Sequence, residues 1–164
     1  MIAAVLSPFL GLFVDKYGHR MTVTLLGSLI MIFAHFYELV LPSAPHCDRC
    51  WASLGPLVLF GLSYTTYAVV LWGALPYMVE SRSLGTAFGI CTMFQNVGTV
   101  IAPPVLGYII TSTKDMAPKS QVGYFYVEVF FIIVSIMAFV FNFGVYLYDK
   151  KKRENLLQDK EPMI

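Results

Sequence analysis

The chain has 164 residues, 57% of them hydrophobic and only 13% charged, and its 11 basic and 10 acidic side chains leave a net charge of +1. Mean hydropathy is +0.69, well outside the balance of a soluble domain. These values exclude a water-soluble globular protein, give no cationic surplus for nucleic acid, and leave an all-α integral membrane protein.

The first apolar run, 1–14, is short for a span, because about 20 apolar residues are needed to cross some 30 Å of hydrocarbon. It has no basic leader and no small-residue cleavage site before Asp15-Lys16, so it reads as a truncated helix rather than a signal peptide. Full-length runs are predicted at 21–41, 54–79, 84–111 and 123–148, followed by a polar tail over 149–164. From Cys50 to Val79, and again from Ser83 to Thr113, there is no Asp, Glu, Lys, Arg or His. Short connections make consecutive helices antiparallel. Lys16, Arg20, Arg82, Lys150, Lys151, Lys152, Arg153 and Lys160 then share one side, against Arg49, Lys114 and Lys119 on the other. The excess of basic residues assigns the first side, with the tail, to the cytosol.

In chain order, the first candidate is the loop Gly11-Leu12-Phe13-Val14-Asp15-Lys16-Tyr17-Gly18-His19-Arg20. Asp15 stands where one helix ends and the next begins, so its carboxylate can face a helix N-terminus or an arginine. Gly11 and Gly18 permit close approach and a tight turn. The plainer reading is a charged loop that fixes topology. His35, Glu38 and Glu128 fall near helix ends, where such groups reach water at little cost, and a coupling role is not assigned to them. Cys47 and Cys50, beside His46, are too few for a closed zinc site; a local disulfide fits an oxidising lumen.

Trp72 lies seven residues inside its helix, roughly 10 Å deep, below the headgroup belt where tryptophans anchor. With Tyr64 and Thr65 it makes a candidate cavity wall, the alternative being helix-packing filler. Gln95 and Asn96 sit near the middle of the next helix and need polar partners or water. They bind peptide-like groups or, as the commoner use, glue helices together. Gly85 and Gly89 form a small-xxx-small pair expected to let helices approach closely. Pro103-Pro104 should kink or locally break the helix. Lys150 to Arg153 reads as a stop-transfer cluster. No nucleophile–base set, metal cluster or phosphate loop is read, and neither an enzyme nor a cofactor is expected.

The Gly11–Arg20 loop has the pattern G-x-x-x-D-[KR]-x-G-x-[KR], which resembles the signature between helices two and three, and eight and nine, of the Major Facilitator Superfamily. With a carboxyl tail four helices later, the chain looks like helices 8 to 12, the first truncated, of a twelve-helix transporter. Gly61-Leu62-Ser63-Tyr64, Leu71-Trp72, Leu84-Gly85-Thr86-Ala87-Phe88-Gly89, Gln95-Asn96-Val97-Gly98 and Gly123-Tyr124 leading to Glu128 are similar to the dipeptide-transporting branch found in lysosomes.

That resemblance implies alternating-access export of dipeptides from the lysosome. It also implies a substrate contact at Trp72, and a conformational latch of Gly11, Asp15, Lys16, Gly18 and Arg20. Partners implied are the lipid bilayer, an N-terminal bundle carrying the charged binding residues, and a glycosylated lysosomal membrane protein as accessory subunit. The alternatives are a transporter of another organic solute, or a non-transporting half-transporter acting as a membrane interaction module.

Overall fold

An apolar segment in a bilayer has no water to satisfy its peptide groups, so each long run must close its hydrogen bonds internally as a helix. The computed structural model describes residues 2–41, 51, 54–113 and 124–152. They form α1 (Ile2–Tyr17), α2 (Arg20–Val40), α3 (Leu54–Met78), α4 (Leu84–Thr113) and α5 (Phe125–Lys152), with a 3-10 turn over Ser81–Ser83 between α3 and α4. Four of these, α2 to α5, are long and apolar enough to cross a membrane. His46, Cys47, Cys50, Lys114, Lys119 and the tail from Arg153 onward lie outside the described residues.

The α1–α2 reversal is made by two residues in left-handed conformation, Gly18 at φ 70° and His19 at φ 57°. Only glycine enters that region without steric cost. His19 is held there because its Nδ1–H donates to the Tyr17 carbonyl at 2.8 Å, while the Gly18 N–H caps the Val14 carbonyl at 2.8 Å.

The core lies where α2 packs between α3 and α5, with α1 against α3. α2 and α3 touch at Gly27, where an added Cβ would sit 3.0 Å from Thr66 Cγ2. At that point the Ser63 hydroxyl donates to the Gly27 carbonyl at 2.8 Å. One residue on, Ser28 donates to the Thr24 carbonyl at 3.0 Å, which leaves its oxygen lone pairs free. One accepts from Asn142 Nδ2 at 3.1 Å, and the Tyr67 hydroxyl lies 3.3 Å away. Asn142 Nδ2 also donates to the Tyr67 hydroxyl. Each hydroxyl proton in this set therefore has an acceptor, with Tyr67 donating to Ser28.

Toward the far ends of α2 and α5, His35 Nδ1 contacts Glu128 Oε2 at 2.9 Å. The imidazole is held between Phe131, stacked at 5.0 Å, and Phe60 at 4.6 Å. On α5 the residues Glu128, Ser135, Asn142 and Asp149 recur every seven positions, which keeps them on one face. Arg20, Thr24, Ser28 and His35 are the buried polar residues of α2. Polar side chains thus run the length of the α2–α5 seam.

α4 differs, because none of its residues is buried. A Cβ added at Gly85 or Gly89 would meet no heavy atom within 4 Å, so the close approach expected of them is not made within the described residues. Gly27 makes it instead. Gln95 and Asn96 are exposed and glue no helix here. The helix also runs unbroken through Pro103-Pro104. Proline removes N–H groups, but its fixed φ is itself helical, so the segment stays helical at the cost of those hydrogen bonds. α5 continues to Lys152, so the tail expected from 149 begins later, because Asp149 is turned into the bundle with its heptad partners.

Replacing Asn142 with Leu keeps the branched shape but removes the amide that donates to the Tyr67 and Ser28 oxygens, an expected loss of about 1–2 kcal/mol. Gly27→Val should cost about 1–3 kcal/mol by forcing α2 off α3. Asn96→Leu, on the exposed face, should leave stability unchanged. Thermal unfolding of the detergent-solubilised protein ranks the three, and a loss at Asn96 as large as at Asn142 would contradict this packing.

Candidate functional site

Two constellations carry chemistry, one at the basic end of the bundle and one along α3 and α4. At the basic end Arg20 opens α2 and is only 3% exposed. Its Nη2 donates to Asp15 Oδ1 at 3.0 Å, while the Asp15 side chain is 69% exposed. The guanidinium lies 3.7 Å over the Tyr77 ring of α3, a cation–π contact strengthened by burial. Arg20 Nε and Nη1 and both Asp149 carboxylate oxygens are buried without a hydrogen-bond partner among the described residues. A Cβ added at Gly11 would reach Val69 of α3 at 4.0 Å, an ordinary contact. Lys16 is exposed and reaches only its neighbour Tyr17.

Of the predicted latch residues, then, Asp15 and Arg20 meet, Gly18 shapes the turn, Gly11 lies within α1 with room for a Cβ, and Lys16 stands apart. Sequence reasoning missed Tyr77 and Asp149. The heptad spacing from Glu128 through Asn142 was the signal for Asp149; nothing local marks Tyr77.

The second constellation begins where α3 and α4 leave their shared turn. Trp72 is half-buried and stacks on Phe88, centroids 5.6 Å apart and planes within 14°. Counting outward from that pair in antiparallel register, Tyr64 on α3 comes level with Asn96 on α4, each about 12 Å further along. Tyr64 is 60% exposed. Asn96 lines an open recess of about 680 Å³ with Gly89, Thr92, Met93, Val97, Val100 and Ile101. Thr92 closes its hydroxyl on the Phe88 carbonyl at 2.8 Å, so the floor of the recess offers one uncommitted amide among apolar walls.

Thr65 departs from its expected place. It is fully buried, with its hydroxyl on the Gly61 carbonyl at 2.6 Å. Spacing put it on the stripe of Trp72, but at mid-helix that stripe is closed over by the bundle, and the adjacent Tyr64 takes the open face. Gln95, although exposed, does not line the recess.

Comparison with known proteins supplies the class. The family model of the Major Facilitator Superfamily matches residues 1–162, and the chain belongs to that family. Among its relatives is the protein named Lysosomal dipeptide transporter MFSD1. The zebrafish (Danio rerio) and human proteins are each 30% identical over 156 residues, covering 95% of this chain and 30% of theirs. The chain therefore spans under a third of the length of these curated relatives. Human Monocarboxylate transporter 11 is 32% identical over 72 residues, 42% of this chain and 15% of its own. No solved structure matches.

The burial contrast across the Asp15–Arg20 pair sets an expectation. Asp15→Ala removes the carboxylate that faces a buried guanidinium and should cost about 3 kcal/mol, whereas Asp15→Asn keeps an amide oxygen that can accept from Arg20 Nη2 and should cost less. Thermal midpoints of the two variants test this, and a loss under about 1 kcal/mol for Asp15→Ala, as for a solvent-exposed pair, would refute Arg20 as the buried anchor.

Proposed function

We propose that this chain supplies part of the cavity wall of an alternating-access transporter that moves dipeptides across the lysosomal membrane. The observation that carries the reading is the open α4 face, where an uncommitted Asn96 amide lines an apolar recess on the helix whose Phe88 stacks on Trp72. A polar amide in an apolar span is costly unless water or a polar ligand meets it. An amide side chain matches the peptide group, which likewise donates and accepts in one plane. The relatives named as dipeptide transporters support the same substrate.

In this mechanism the cavity is completed by a second bundle, and the two rock about a midplane site that opens to one side at a time. The described residues of the recess carry no charge, so the termini of a zwitterionic substrate find their counter-charges on the other bundle. The Asp15–Arg20 pair, at the end assigned to the cytosol, acts as the latch that holds one access state. Because Arg20 is buried and Asp15 exposed, breaking the pair requires the guanidinium to find another acceptor or water.

A second reading, another small organic solute, is favoured by the shorter match to a protein named as a monocarboxylate transporter. Uptake into vesicles holding the full transporter, with a dipeptide panel beside monocarboxylates, separates the two. On the leading account Asn96→Leu raises the dipeptide KM several-fold, corresponding to about 1 kcal/mol for one lost hydrogen bond. Monocarboxylate uptake without dipeptide uptake would establish the second reading in its place.

A further inference from the structure

Trp72 is a large, half-buried side chain close to where α3 and α4 leave their shared turn. Its neighbour Gly73 has nothing within 4 Å of a Cβ position, and the same holds for Gly85 and Gly89 on α4. The indole meets the Phe88 ring, at 5.6 Å between centroids and 14° between planes. Near-parallel rings at that spacing are offset-stacked, a favoured aromatic geometry that adds to simple burial. Both residues are half-buried, so each ring has one face in the stack and part of its surface open.

We infer that Phe88 is a positioning residue for Trp72: its ring holds the indole in one orientation. The inference rests on the proposed role of Trp72 as a substrate contact and adds the reason the contact has a defined geometry. Without that ring the half-buried indole would have more χ1 and χ2 wells open to it, and every substrate encounter would bear the entropy of choosing one. Phe88 sits on α4 itself, one turn before Thr92 and two before Asn96. The same helix thereby sets both the tilt of the indole and the position of the amide it works with. Leucine at 88 would fill the space but could not stack, and that separates positioning from packing.

Dipeptide uptake by the full transporter in vesicles provides the test, with Trp72→Ala, Phe88→Leu, Phe88→Tyr and the double variant Trp72→Ala/Phe88→Leu. The expected result is a several-fold rise in KM for Phe88→Leu with maximal rate retained, and near-normal KM for Phe88→Tyr. The double variant should be no worse than Trp72→Ala alone, since Phe88 acts through the indole. If Trp72→Ala raises KM while Phe88→Leu does not, or if the two losses add in full, Phe88 does not position Trp72 and the reading of Trp72 survives. If Trp72→Ala leaves KM unchanged, the reading of Trp72 and the role of Phe88 fall together.

Discussion

Buried polar side chains between α2, α3 and α5 are the constraint on which the rest of this structure depends. In hydrocarbon there is no hydrophobic force to bring helices together, so close packing and interhelical hydrogen bonds must do it. The chain meets this with one point of near-contact, Gly27 against Thr66, and a closed set of donors and acceptors around Ser28, Tyr67 and Asn142. His35 against Glu128 adds a tie toward the far end, packed between aromatic rings. Three helices are thereby joined near the middle and toward one end, and the polar groups at these points are used up in the joining.

This consumption makes the α4 face meaningful. A polar group within a span either serves packing or serves a ligand, and the first option is taken on α2, α3 and α5. On α4 the Asn96 amide is left over, beside a recess and above a ring stack. The basic end follows a related logic. Arg20 is buried over Tyr77 and fixed, whereas its partner Asp15 is exposed, so the pair has one anchored half and one half free to exchange partners. A fixed unit, an uncommitted face and a separable ion pair are the parts a rocking transporter requires.

Much of this was legible in the sequence, and what escaped did so for a physical reason. Long charge-free runs dictate helices regardless of neighbours, and the spacing of Gly11, Asp15, Gly18 and Arg20 marks a tight charged reversal that the structure forms with Gly18 and His19 at positive φ. Pairing between helices is another matter. Ser28 finds Tyr67 39 positions away and Asn142 114 positions away, and no local window contains that register. A single Asn or Asp in an apolar helix also vanishes in an averaged hydropathy, which hid Asn142 and Asp149 although their spacing of seven was there to see. Thr65 was misplaced because helical phase tells which residues share a stripe but not which part of the stripe is covered. Gly85 and Gly89 meet no neighbour among the described residues: a small-residue motif states that close approach is allowed, and only a neighbour decides whether it happens.

The central claim is that the Thr92–Asn96 face of α4 meets water and substrate rather than lipid. Single cysteines placed at Thr92, Asn96 and Phe94, in a full transporter with Cys91 replaced by Ser, can be probed in native vesicles with a water-soluble maleimide. The account predicts rapid labelling of Thr92→Cys and Asn96→Cys, slowed by a transported dipeptide, and little labelling of Phe94→Cys on the opposite side of the helix. Equal labelling of all three, or an unreactive Asn96→Cys beside a reactive Phe94→Cys, would contradict it.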